Sequence, residues 1–318
     1  MSNYTEAERH FISRTVGALL LFINIMAIVA TALLLLVLYH FWKFYRPHPI
    51  YISIVSLSVS CLMYTFGDLV VAVPCLLTSC SHISSDFLMD ILSATNSIGY
   101  YTYQFTLLAI SFDRVCVFYD NGRARLSKKF TIIVLIFIWI GVLSFLTMAT
   151  FLGCRKFFDT DIQAFRFTRD PTWKAVFLWM GQIPIFLMIV SSIWVAICVK
   201  RLGREMRTKN STREISLFVQ LVVVCSFSWL SSACFLILPG FFEWGNLTVS
   251  SVKTLLSAIS ISSNSFVMCT FNNQIKKHIL LLPSECSSAC KTFLGGTKTA
   301  ITRDYGYASE LAMPLNRI

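Results

Sequence analysis

Charge is scarce in this chain. Only 14% of its 318 residues are Asp, Glu, Lys or Arg, against about 25% in an ordinary soluble domain. Acidic residues are the scarcer kind, 16 beside 27 basic ones, for a net charge of +11. Hydrophobic residues reach 56% and the mean hydropathy is +0.68. Intrinsic disorder is thereby excluded over most of the chain, because it needs low hydrophobicity and high charge. The 11 cysteines are spread along the whole length, which excludes a small disulfide scaffold. No Walker loop, no H-E-x-x-H and no Cys/His ligand spacing occurs, so no metal, cofactor or enzyme chemistry is expected. No cleavable leader is expected either. Residues 1–14 carry Glu6, Glu8, Arg9 and Arg14, and the apolar run that follows is too long for a signal peptide.

What the chain does have is long apolar runs. Seven cover roughly 15–41, 50–74, 87–112, 130–152, 175–199, 215–239 and 249–271. Each approaches or exceeds the length of a tilted bilayer-spanning helix. Helices are required because the bilayer core offers no partner to an unpaired backbone group. The alternating segments of about 10 residues that mark a transmembrane barrel are missing. The third run is the least apolar. It holds Asn96, Tyr100, Tyr101, Tyr103 and Gln104 and is expected at the bundle centre. Asp68 is the one carboxylate well inside a run, and it reads either as a structural polar anchor or as a ligand or ion group. So little intramembrane charge argues against proton-coupled transport.

Seven spans put the two ends on opposite sides. Eight Lys and Arg fall on the side of the N-terminus and nineteen on the other. The richer side is cytoplasmic by the positive-inside rule, which places the N-terminus outside and the C-terminus inside. The basic surplus therefore faces anionic membrane lipid or a cytoplasmic protein, and nucleic acid is not an expected partner. Of three N-x-S/T sequons, those at Asn3 and Asn246 fall outside and are glycosylation candidates; Asn210 falls inside.

Span 3 ends in Ser111-Phe112-Asp113-Arg114-Val115, which resembles the D/E-R-Y motif of rhodopsin-like G-protein-coupled receptors. Trp139 in span 4 and Pro184 in span 5 stand where that family carries such residues. Phe227-Ser228-Trp229-Leu230-Ser231 is similar to a C-W-x-P that keeps only its tryptophan. Asn264 through Lys276 resemble N-P-x-x-Y-x-x-x-N-x-x-F-R, with Ser265 and Met268 in place of Pro and Tyr. Cys286 and Cys290 are placed like the family's palmitoylated cysteines. The stretch Arg213 to Gln220, with the missing prolines, looks like the nematode serpentine chemosensory receptors.

The resemblance implies an all-α membrane protein, a seven-transmembrane-helix bundle with a short amphipathic helix after span 7. Its parts would be an extracellular segment (1–14), the bundle (15–273), the amphipathic helix with a palmitoylation region (274–290) and a disordered cytoplasmic tail (291–318). It implies a plasma-membrane chemoreceptor that binds a small-molecule ligand and activates a heterotrimeric G protein. Asp113, Arg114, Glu214, Trp229 and Asn264 would be its switch residues. Asn96, Tyr100, Tyr103, Gln104, Trp179 and Trp229 would line its ligand pocket. Asn96 stands where amine receptors carry Asp, and an amide offers no counter-charge to an ammonium, which argues against a biogenic amine. Ala258 stands where opsins carry the retinal lysine, so no Schiff base forms there. Cys61 replaces the carboxylate of the family's sodium pocket. The family tethers span 3 to the loop after span 4, but its usual cysteine would fall at Met89; a Cys80–Cys154 bond is the expected substitute. Two other readings stay open: a seven-span channel or transporter for small neutral solutes, and a receptor-like partner protein that no longer signals.

Overall fold

The structure is a computed structural model that describes residues 5–78, 80, 85–119, 127–159, 162–167, 171–202, 209–241 and 247–294. The side chains of 201–214, 235–241 and 284–294 lie outside that description. The helices are α1 (Glu6–His40), α2 (Trp42–Tyr45), α3 (Pro49–Gly67), α4 (Val73–Leu77), α5 (Asp86–Tyr119), α6 (Lys128–Phe151), α7 (Pro171–Leu202), α8 (Lys209–Phe241), α9 (Leu247–Phe271) and α10 (Asn273–Leu294). A π-helical turn (Asp68–Ala72) joins α3 to α4. Two short strands, β1 (Lys156–Asp159) and β2 (Ala164–Phe167), form a hairpin between α6 and α7.

The fold is a seven-helix bundle in a multi-pass membrane protein. Six helical stretches are long and apolar enough to cross a membrane: Glu6–His40, Pro49–Leu77, Lys128–Phe151, Ala175–Lys200, Ile215–Cys234 and Leu247–Phe271. The seventh, α5, is as long but more polar, because it is the axis of the bundle. It packs most extensively against α3 and then against α7. Ser93, Asn96, Ser97, Thr102, Gln104, Thr106 and Ser111 are all buried along it. By contrast α6 lies at the rim, with Phe137 71% exposed, as a lipid-facing helix requires. One hydrogen bond from Trp139 Nε1 to Ser56 Oγ, 3.0 Å, fastens α6 to α3.

Two glycines set the distance between α3 and α5. A Cβ on Gly99 would stand 2.4 Å from the Tyr64 backbone nitrogen and 2.6 Å from the Ser60 carbonyl oxygen. One on Gly67 would stand 2.8 Å from the Asn96 nitrogen. Both obstacles are backbone and cannot rotate away. The π turn follows at once, just before Pro74, whose ring clashes with the carbonyl four residues back in a regular helix.

The hairpin pairs Lys156 with Phe167 and Phe158 with Phe165. Its tip is held by Arg166 Nη1 to Asp159 Oδ2, 2.9 Å, and turns through Gln163 at φ 55°. Phe167 stacks on Phe177 of α7 at 3.9 Å between centroids, which fixes the hairpin against the bundle. The expected Cys80–Cys154 bond does not form. Cys75 bonds to Cys80, five residues on, across a Cα–Cα distance of 4.4 Å. Cys154 instead packs in an apolar cluster with Tyr101, Leu146 and Phe177 beneath the hairpin. Proximity along the chain decides the pairing, and stacking rather than a disulfide tethers the loop.

At the opposite end Asn272 caps α10, its Oδ1 accepting from the backbone nitrogens of Gln274 (3.1 Å) and Ile275 (3.2 Å). The chain divides into units at Ile279 and Leu280. Within the first, Tyr45 and His278 Nδ1 share a 2.6 Å hydrogen bond and Phe41 stacks on the His278 ring. The described part of the second is the remainder of α10.

Gly99→Ala should abolish folding or lower the melting temperature by several degrees, since overpacking costs about 1–3 kcal/mol even where side chains can adjust. Gly141→Ala, where nothing lies within 4 Å of the new Cβ, should be neutral or stabilising by up to about 1 kcal/mol. Thermal unfolding of the two purified variants checks the contrast. Equal melting temperatures would show that α3 and α5 do not meet at this point.

Candidate functional site

The glycine-set approach of α3 to α5 brings Asp68 and Asn96 together at the hairpin end of the bundle. Asn96 Nδ2 donates to Asp68 Oδ1 at 2.8 Å. On its other side Asn96 Oδ1 accepts from Lys156 Nζ at 2.5 Å. Lys156 is the first residue of β1, and its side chain reaches inward from the hairpin. Its ammonium also lies over the Phe165 ring, 4.5 Å from the centroid, and 5.8 Å from that of Phe167. A cation, an amide and a carboxylate thus form a chain from the mouth inward. Burial, only partly offset by the nearby Asp68 charge, pulls the Lys156 ammonium down to about 7.

The inner end of this chain is under-bonded. Asp68 is fully buried, and its Oδ2 has no hydrogen-bond partner among the described residues. Asn24 of α1 approaches the carboxylate, but its Nδ2 closes no hydrogen bond. Ser93 and Ser97 on α5 are buried with unpaired hydroxyls. Tyr64 OH donates to Ser257 Oγ across to α9 at 3.1 Å. Buried polar groups are normally satisfied. Unsatisfied polar groups on Asp68, on Asn24 beside it and on the same stretch of α5 as Asn96 mark a place built for more polar company than the protein supplies.

The six expected pocket residues do not all meet. Asn96 is at the centre, 3% exposed. Tyr100 lies against Gly181 of α7 and edge-on to Tyr101, 5.2 Å between centroids. Tyr103 and Gln104 are buried deeper along α5, with Tyr103 OH donating to the Ser260 carbonyl at 3.4 Å. Trp179 and Trp229 are turned outward, 62% and 51% exposed. Neither lines the interior, and Trp229 is no packing switch beneath a pocket. The reason is the serines around it. Ser228, Ser231 and Ser232 take the inner face of α8. Ser228 accepts from Ser260 Oγ at 3.1 Å, and Ser232 donates to Gln182 of α7. With hydroxyls inward, helical geometry leaves the tryptophan toward lipid.

At the far end of α5, Arg114 is 5% exposed and ion-paired to Asp113, its Nε 3.2 Å from Asp113 Oδ2. Phe118, Val195 and Phe218 close the bundle one turn further on. Asn264 is buried in α9, and neither atom of its amide makes a hydrogen bond among the described residues. Glu214 is on α8, but its side chain lies outside the described residues, as do those of Cys286 and Cys290 on α10. Asn3, Asn246 and residues 295–318 of the tail lie wholly outside them.

Sequence reasoning missed Lys156, which it counted as a loop charge. It also missed that Asp68 supplies the negative charge Asn96 lacks. The separation of 28 residues between Asp68 and Asn96 carries no sign of the contact; only the two glycines hint at where the helices cross.

A family profile described as serpentine type 7TM GPCR chemoreceptor Srx matches residues 18–272. No curated protein matches the chain. Among solved structures, the crystal structure of squid rhodopsin has a similar fold, with a TM-score of 0.70 at 17% identity, covering 87% of this chain and 88% of that one.

Asp68→Asn should lower the Lys156 pKa further below about 7, since the charge that opposes the burial effect is gone. Competitive acetylation across the neutral and alkaline range, read at Lys156 by mass spectrometry, measures this. An unchanged profile would show that Asp68 does not act on the lysine.

Proposed function

The chain belongs to the serpentine-type 7TM GPCR chemoreceptor family Srx, and from that premise we propose that it binds a small ligand at the hairpin end and activates a heterotrimeric G protein at the Arg114 end. The observation that carries this reading is that one helix bears both sites. Asn96 and Arg114 stand 18 residues apart on α5, about 27 Å along its axis at 1.5 Å per residue. A ligand that alters the bonding of Asn96 acts on the helix that presents Arg114. The protein's contribution is binding and a conformational equilibrium, not catalysis.

The hairpin end is extracellular and the Arg114 end cytoplasmic in this reading, supported by the surplus of Lys and Arg on the Arg114 side. The location is the plasma membrane. Arg114 is held by Asp113 in the resting bundle, with Glu214 at the foot of α8 as a second acceptor on closure. Asn264, buried with its amide unpaired, is the switch residue of α9. Glycans on Asn3 and Asn246, and palmitoylation of Cys286 and Cys290 on an interfacial α10, complete the arrangement.

Arg114→Ala should reach the surface normally and lose ligand-driven G-protein activation by about tenfold or more, the scale of a coupling free energy of 1–3 kcal/mol. The measurement is G-protein activation in cells at matched surface level across a panel of small volatile and water-soluble compounds. A solute flux or current that survives the substitution would overturn the receptor reading in favour of a channel. An undiminished activation would remove Arg114 from the mechanism.

A further inference from the structure

The surroundings of the Lys156 ammonium are those of an amine-binding site. The nitrogen has an amide oxygen at 2.5 Å, an aromatic face at 4.5 Å and, behind the amide, the buried Asp68 carboxylate. Those are the three contacts by which proteins recognise an ammonium: an acceptor, a ring quadrupole and a counter-charge. None of them is specific to a lysine. The stem is unbranched, and its base is on the hairpin at the mouth of the bundle, where Lys156 and Phe165 are only partly buried. The lysine stem fills the route from the mouth to Asn96, and a free amine of the same shape would take that route once the stem has left it.

We propose that Lys156 is a tethered ammonium plugging an amine subsite formed by Asn96, Asp68 and Phe165, and that the ligand is a small primary amine that displaces it. The inference rests on the receptor reading above and names its ligand class. Below a pH of about 7, where Lys156 is protonated, charge is conserved in the exchange, because one cation leaves as another enters. Lys156 regains its hydration on release, which offsets part of the cost of drying the ligand. The tether gives the lysine an effective concentration of the order of millimolar. A successful ligand therefore needs further contacts, and the Phe165 and Phe167 rings supply them to an amine carrying an apolar body. A carboxylate ligand fits poorly. It would bring a second negative charge beside Asp68 and would have to strip Lys156 from Asn96 to gain a partner. Asn96 by itself offers an ammonium no counter-charge; the negative charge is one hydrogen bond further in, on Asp68.

The test uses the full chain purified into nanodiscs, with n-propylamine as probe. Lys156→Ala removes three carbons and the nitrogen, the heavy atoms of n-propylamine. The substitution should lower the melting temperature, and millimolar n-propylamine should restore most of the loss. Equimolar 1-propanol and propionate should not. In Lys156→Ala/Asp68→Asn the amine rescue should weaken at least tenfold in midpoint concentration. A measurement on the unsubstituted chain covers the case in which Lys156→Ala does not fold. There n-propylamine should move the pH midpoint of Lys156 acetylation upward from about 7, because the displaced side chain enters water and burial no longer favours its neutral form. Rescue by propionate or 1-propanol as well as by amine, or Lys156 acetylation unmoved by amine, would overturn the proposal. None of these readouts involves a G protein. An amine effect without signalling would sink the receptor reading and leave the subsite standing; signalling without an amine effect would do the reverse.

Discussion

A buried carboxylate has to be compensated, and much of the hairpin end follows from how Asp68 meets that demand. An ion of this kind carries a desolvation penalty of several kcal/mol even after the surroundings relax. In a lipid-spanning bundle water is not at hand to lower it. Gly67 and Gly99 let α5 come close enough for Asn96 to donate to Asp68, and the other face of the same amide then accepts from Lys156. The cation is brought from outside the helices, by a strand. The hairpin is thus drawn into the mouth by charge and held there by the stack of Phe167 on Phe177. The Cys75–Cys80 bond closes a local turn and has no part in this. Among the described residues no disulfide ties the hairpin to α5, so polar contacts and ring stacking alone hold it against that helix and α7.

The same compensation explains why α5 is the polar helix. A helix whose every face meets another helix cannot hide polar groups in headgroups, so each must find a partner inside or remain unsatisfied. Tyr101 finds the Phe177 carbonyl at 3.2 Å and Tyr103 the Ser260 carbonyl. Ser93, Ser97, Thr102 and Gln104 Oε1 do not. The orphans on α5 cluster toward the hairpin half, whereas the Arg114 end is closed by ring packing and an ion pair. One end of the helix is under-bonded and the other is locked. In the receptor reading proposed above, that asymmetry gives a ligand at the mouth something to gain by binding.

The seven spans were legible because hydropathy over twenty residues integrates out local detail. Even the exception was legible, since five polar residues in the third run placed it at the centre. Asn96 was legible because it is one of the polar residues of that run and stands where the resembled family's amine receptors carry Asp. Lys156 was not, because a lysine in a basic loop looks like any other, and only the hairpin register turns it inward. The two tryptophans failed for a related reason. Trp229 was read as interior by its position in a motif and Trp179 by its place on span 5, yet the apolar moment of a membrane helix does not say which face is inside. In lipid both faces can be apolar, and the small polar residues are the better guide. Read by its serines, α8 would have been oriented correctly.

Those serines also bear on how α8 can move without the proline of the C-W-x-P pattern. Along α9, Ser251, Ser262 and Ser263 give their hydroxyls to carbonyls of their own helix, at 2.8, 2.7 and 2.6 Å. Bonds turned back on the helix do not cross the interface. The cross-links to α8 among the described residues are few, chiefly Ser260 to Ser228 and Asn272 Nδ2 to Gln220 Oε1 at 3.5 Å. The remainder is close packing of small side chains, which resists separation but opposes sliding weakly. A displacement of α8 along α9 therefore breaks few directional bonds, and the buried, unpaired amide of Asn264 stands ready to make new ones. A hinge proline concentrates motion at one residue; a serine-lined interface spreads it along the helix and needs no hinge.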